Sequence, residues 1–131
     1  MPKLESIVPA SLELLYTKRG YSPGVRTGSI LLISGMLGRD ADLNIVTDPE
    51  AQLVQLFENI GLVLAEAGCS WSDIAELTAY LTHLQRDYKL FMTVRNRYVR
   101  EPYPAMTMIG VAELAQPGLI CETKGIAVRP D

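Results

Sequence analysis

Two periods organise the apolar residues of this chain, and its elements change where one gives way to the other. The longest stretch with the helical period begins at Thr47-Asp48-Pro49-Glu50. Leu53, Leu56, Phe57, Ile60, Val63, Leu64 and Ala67 follow at three- and four-residue steps and form one apolar stripe. Asp48 can cap this helix with Pro49 in its first position, while Thr47 and Glu50 fit a capping box one residue earlier. Gly68 supplies the left-handed residue that closes such a helix. A second helix is expected from about Asp87 to Arg100. Its inner positions are Tyr88, Phe91, the Val94–Arg95 neighbourhood and Tyr98; Lys89, Asn96, Arg97 and Arg100 lie outside, and Pro102 stops it.

The remaining apolar runs have the strand period or none. Ser29 to Ser34 is a continuous apolar run closed by Gly35, which predicts a buried central strand. From Glu76 to Leu81, the residues Leu77, Ala79 and Leu81 alternate with Glu76, Thr78 and Tyr80. In Pro102 to Leu114 the two prolines stiffen the approach. Met106, Met108 and Gly110 then point one way, and Ala105, Thr107, Ile109 and Val111 the other. No charge appears there before Glu113, so this strand is expected to be buried on both sides, and its start suits a site. Ala115-Gln116-Pro117-Gly118 makes a turn and Leu119 to Val128 a last strand, read together as a C-terminal hairpin. A first strand is expected near 3–8 or 11–17, a turn at Tyr21-Ser22-Pro23-Gly24-Val25, and a loop with a short extended return over Gly38 to Val46. Ser70-Trp71-Ser72-Asp73 is a tight turn that extends to one short helical turn.

This order of elements predicts an α+β domain spanning residues 1–131, with one sheet and two helices on one face. The other face is too apolar for water, and identical subunits covering it would place any site at their seams.

Composition narrows the function classes. The 131 residues suffice for one domain with a core. Apolar residues make up 48% and charged residues 21%, with a net charge of −3. That charge disfavours a nucleic-acid partner. No run is long enough to span a membrane, and Met1-Pro2-Lys3-Leu4-Glu5 lacks the pattern of a signal peptide, so the cytoplasm is the expected location. Cys69 and Cys121 stand far apart, without metal-ligand spacing. His83 is the single histidine, which argues against a zinc site and against His-based nucleophilic schemes. No metal or cofactor is expected.

Tyr21-Ser22-Pro23, Ile33-Ser34-Gly35, Asn59-Ile60, Ala67-Gly68, Pro104-Ala105, and Glu122 with Ile126-Ala127-Val128 form an ordered set. With its spacing, from about Tyr21 to Arg129, the set resembles the RidA/YjgF family, also named the endoribonuclease L-PSP family. The resemblance implies a chorismate-mutase-like (YjgF-like) α+β fold and a homotrimer with a β-barrel-like core and clefts between subunits. It further implies cofactor-free hydrolysis of reactive enamines and imines to keto acids and ammonia.

Carried onto this chain, the resemblance makes Glu122 the carboxylate that positions the attacking water and Tyr21 the cleft tyrosine. It makes Ser34 and Gly35 the strand end lining the cleft. Each residue also has a plainer role. Glu122 could be a solvated strand charge beside Lys124, Tyr21 a packed aromatic, and Ser34-Gly35 a turn. The departure is Met106, where family deaminases carry an arginine that clamps the substrate carboxylate. Methionine has no donor. Losing a bidentate, charge-assisted contact removes roughly 1.5–3 kcal/mol per bond. Thr107, at the following position, can still donate. Arg95, aligned with a family asparagine, is a candidate substitute cation; its alternative is a solvated helix arginine. Methionines at 106 and 108 could instead make an apolar cleft or plain core.

Two functions follow as expectations. One is a deaminase or hydrolase of enamine or imine intermediates with an altered substrate range, favoured by Tyr21, Glu122 and Thr107. The other is a catalytically silent trimer that binds a small metabolite, favoured by Met106. Ribonuclease activity is a weaker third reading.

Overall fold

A computed structural model describes residues 3–129. Its single sheet has six strands: β1 (Glu5–Ile7), β2 (Gly24–Thr27), β3 (Ile30–Leu37), β4 (Ile74–Leu81), β5 (Ala105–Gly110) and β6 (Cys121–Val128). The strand order is β1-β2-β3-β6-β4-β5. All neighbours are antiparallel except β4 and β5. Three α-helices accompany the sheet: α1 (Glu13–Thr17), α2 (Pro49–Glu66) and α3 (Leu84–Arg95).

The apolar stripe of α2 packs against one sheet face. Leu53, Leu56, Phe57, Ile60, Val63 and Leu64 join Leu31, Leu77, Ala79, Leu81, Cys121 and Ala127 in one core, with Phe91 and Val94 contributed by α3. Each large apolar side chain buried there contributes about 1.5–3 kcal/mol. Of the two expected caps for α2, Asp48 is the one formed: its Oδ2 accepts from the Ala51 N–H at 2.9 Å. Gly68, at φ 74°, ends the helix as expected.

Several expectations are corrected. Of the two options for a first strand, the earlier holds, and 10–17 is helical instead. The turn expected at Tyr21–Val25 runs into a strand, β2, too short for its alternation to show behind Pro23. Gly24 lets β2 pass under α2, since a Cβ there would stand 2.6 Å from Val63 Cγ1. The central strand does not end before Gly35. It continues to Leu37, with a register shift between Ile33 and Met36.

The second helix starts three residues early and stops at Arg95. Tyr98 still reaches the core from the following turn and stacks on Phe57, with ring centroids 5.2 Å apart. Tyr88 is exposed, and Asp87 holds the inner position beside it. The strand at 105–110 is an edge strand with no described strand on its outer side, so it is not buried on both sides within the chain. The last strand forms no hairpin with it. Instead β6 inserts between β3 and β4, so each pairs antiparallel with it. The β4–α3–β5 crossover makes β4 and β5 parallel neighbours, so β5 has no free edge toward β6.

The sheet face away from the helices is open. Ile30, Leu32, Ile109 and Val128 on it are each about two-fifths exposed, at 41%, 44%, 43% and 41%. Among the described residues no helix is long and apolar enough to cross a membrane.

Candidate functional site

Glu122 projects from the open face of β6, with Leu37 of β3 and Tyr80 of β4 as its register partners. Its side chain folds over Gly35. A Cβ at position 35 would stand 2.7 Å from Glu122 Cδ and 2.9 Å from Cγ, and closer still to Oε2. The bulge between Ile33 and Met36 brings this glycine under the carboxylate. Burial raises the pKa of Glu122 above the usual carboxylate value, against the opposing pull of Arg39 and Lys124. A carboxyl shifted this way is, when ionised, a better proton acceptor than a solvated glutamate.

Tyr21 belongs to the same group. Its pKa is raised first by burial; Arg39 opposes the shift, Glu122 adds to it and Arg19 opposes it. The phenol is therefore a neutral donor at physiological pH. Ser34 holds this arrangement together. Its Oγ donates to the Ser22 carbonyl at 2.6 Å, and its N–H donates to the Pro23 carbonyl at 3.0 Å. It ties β3 to the turn carrying Tyr21, with its hydroxyl proton committed to that bond.

The structure adds a residue that sequence reasoning missed. Arg39 is buried, and it lines a hollow with Tyr21, Gly35 and Asn59. The hollow measures about 320 Å³ with its open mouth. Asn59, on α2, fixes the segment: its Nδ2 donates to the carbonyls of Leu37 at 3.0 Å and Arg39 at 2.9 Å. Burial and then Arg19 lower the pKa of Arg39, while Tyr21 and Glu122 raise it. In the sequence Arg39 stands among Gly38, Asp40 and Asp42, a pattern that looks like a solvated loop. The one local hint was a pair of glycines at 35 and 38, both of which leave room for neighbouring side chains.

The other sequence candidates lie elsewhere. Met106 faces the helices, opposite Leu77, and packs partly against the core. Leu77 in turn pairs with Gly125 of β6, so Met106 lies two strands and three residues from Glu122, on the opposite face. That separation is roughly 14 Å along the sheet. Thr107 shares the open face with Glu122 but lies on the exposed edge strand. Arg95 is buried at the end of α3. Its Nη1 donates to Asn96 Oδ1 at 2.9 Å, and its guanidinium lies 5.4 Å from the Tyr103 ring centroid. Tyr21, Gly35 and Glu122 therefore come together within one chain, with Ser34 as their tie, whereas Arg95, Met106 and Thr107 do not join them. Among the described residues no three His, Cys, Asp or Glu side chains gather to hold a metal.

Comparison with known proteins places this geometry in context. The sequence profile of the Endoribonuclease L-PSP family matches residues 12–129. The RutC family protein YjgH of Escherichia coli K12 is 34% identical over 132 residues, covering 100% of this chain and 99% of its own length. A 2-iminobutanoate/2-iminopropanoate deaminase of Bos taurus is 32% identical over 111 residues, covering 83% of this chain and 80% of its own. A solved structure of protein YjgH superposes with a TM-score of 0.90 at 34% identity, covering 97% of each chain.

Proposed function

Because the chain belongs to the Endoribonuclease L-PSP (RidA/YjgF) family, which includes 2-iminobutanoate/2-iminopropanoate deaminases, we propose that it hydrolyses reactive enamine or imine intermediates bearing a carboxylate. The observation that carries this reading is the Glu122 carboxyl, raised in pKa, lying against Gly35 beside Tyr21. An imine carbon held beside the Glu122 carboxylate would meet water activated by it. Glu122 takes a proton from the water as its oxygen bonds to the carbon, and the C=N pair of electrons moves to nitrogen, which is protonated. The resulting carbinolamine then loses ammonia and leaves the keto compound. In this scheme Tyr21, as a neutral phenol, donates to the developing polar group. No step calls for a metal or an organic cofactor.

The exposed apolar face supports a symmetric homotrimer. In such an assembly the edge strand with Met106, Met108 and Thr107 would meet the Glu122 cluster of another copy across a seam. That arrangement would bring together residues that one chain keeps apart.

A second reading is a catalytically silent, metabolite-binding trimer. The placement of Met106 favours it: the side chain packs partly into its own core and offers no donor at the position of the family clamp.

The test generates 2-iminopropanoate and 2-iminobutanoate in situ and follows their loss and ammonia release with the chain, with Glu122→Gln and with Met106→Arg. The expected result is acceleration by the wild type that falls about 10²–10⁴-fold in Glu122→Gln. Inert wild type and Met106→Arg, under conditions where the bovine deaminase is active, would leave only the binding reading.

A further inference from the structure

Arg39 is a buried cation with no ion-pair contact among the described residues; the Glu122 carboxylate acts on it through space. It is 5% exposed, its Nε has no hydrogen-bond partner among the described residues, and neither ion pair found among them includes it. Arg19 adds a second positive charge nearby. Asp40, also on the rim of the hollow, uses Oδ1 to accept the backbone N–H groups of Asp42 and Asn44, both at 2.9 Å. It is committed to its own turn. Burial outweighs the attraction of Glu122, since the Arg39 pKa is still lowered, so a further anion at this guanidinium would be favourable. Asn59 nevertheless holds the Arg39 backbone in place through a buried side-chain bond.

Resting on the hydrolase reading above, we propose that Arg39 binds the ligand's carboxylate, and that the ligand is a small monoanion with its reactive carbon beside Glu122. The fork of a guanidinium matches a carboxylate with two parallel bonds. Position agrees with this placement: the hollow that Arg39 lines is also bordered by Gly35, against which the Glu122 carboxylate lies. Charge agrees as well, because a second negative group on the ligand would face the Glu122 carboxylate. The cation that position 106 lacks is thus supplied from the end of β3, on the same chain as Glu122. Arg95 also has an unpartnered buried Nε, but its Nη1 is engaged by Asn96, its guanidinium lies by Tyr103, and it does not line the hollow beside Gly35.

The test titrates the full chain with 2-oxobutanoate, the keto product of an imine substrate, and with its neutral amide, by calorimetry. Arg39→Met, Arg39→Lys, Arg95→Met and Glu122→Gln are compared. The expected result is binding of the acid but not the amide, weakened at least about tenfold in Arg39→Met and partly restored in Arg39→Lys. A wild type that does not bind the acid, an Arg39→Met variant within about twofold of wild type, or a loss that follows Arg95→Met instead overturns the proposal. If Arg39→Met does not fold, the acid–amide contrast and Arg39→Lys decide. Equal binding of acid and amide, or Arg39→Lys matching wild type in both affinity and enthalpy, then overturns it. Arg39-dependent binding without imine hydrolysis keeps this inference and removes the activity. Hydrolysis indifferent to Arg39 keeps the activity and removes the inference.

Discussion

The Glu122 carboxylate occupies the volume that a side chain at position 35 would need. Nothing in the backbone of Gly35 demands glycine, for it is not among the residues with positive φ. The requirement is steric. Gly35→Ala is therefore expected to push Glu122 off its seat, with overpacking costing typically about 1–3 kcal/mol. Imine hydrolysis should fall by at least an order of magnitude while the fold survives, as checked by circular dichroism and turnover of 2-iminobutanoate. An alanine variant with unchanged rate would mean that the observed seat of Glu122 has no part in the chemistry.

The raised pKa of Glu122 gives two linked pH effects. A carboxyl whose folded pKa exceeds its unfolded value binds more protons when folded, so its contribution to stability declines as pH rises from the ordinary glutamate value through the folded value. Glu122→Gln removes that decline, so its stability relative to wild type should improve with rising pH across that window. Activity follows the opposite sense, because the base must be ionised. The acid limb of kcat/KM should lie above the ordinary glutamate range and move higher still in Arg39→Met, since Arg39 pulls the Glu122 pKa down. Denaturant melts and rate profiles across this range check both; an acid limb unmoved by Arg39→Met would contradict the coupling.

What could be read from the sequence follows physical locality. The α2 helix was legible because its stripe, its Asp48 cap and its Gly68 stop are all encoded within the element. The position of β6 was not, because strand order depends on where α3 returns the chain, and alternation within Cys121–Val128 is compatible with either neighbour. The end of α3 was misplaced because Tyr98 keeps the helical spacing while reaching Phe57 from a turn. At the site, resemblance supplied Tyr21, Gly35 and Glu122, which do lie together. Arg39 escaped because burial of a charge is a tertiary property: the same Gly-Arg-Asp string could equally sit in water.

The open sheet face yields a prediction about assembly. Leu32 is 44% exposed on that face and pairs in register with Ile126 and Val25. In a lone chain Leu32→Glu is a surface change, expected to shift stability by no more than about 0.5 kcal/mol. In a trimer it buries three carboxylates in an apolar seam. Light scattering should give a mass near three times 14.4 kDa for wild type and near one for the variant. A wild type that is monomeric at micromolar concentration, or a variant that still trimerises, would contradict the proposed covering of this face.

A stability measurement separates a ligand-binding Arg39 from a structural one. Structural arginines stabilise through the partners they hold; this one has an unpartnered Nε, and burial and the like charge of Arg19 outweigh the attraction of Tyr21 and Glu122. Removing such a cation should relieve a desolvation penalty. Arg39→Met is therefore expected to leave thermal stability unchanged or raise it, within the roughly 1–4 kcal/mol gained when buried ionic groups are replaced by apolar ones of similar size. Its cost should appear as lost carboxylate binding, the pattern of a residue retained for function at the expense of stability. Scanning calorimetry of both proteins without ligand makes the comparison, and adding 2-oxobutanoate should raise the melting temperature of wild type alone. A variant destabilised by several kcal/mol would show that Arg39 supports the fold through contacts of its own, and its burial would then need no ligand to explain it.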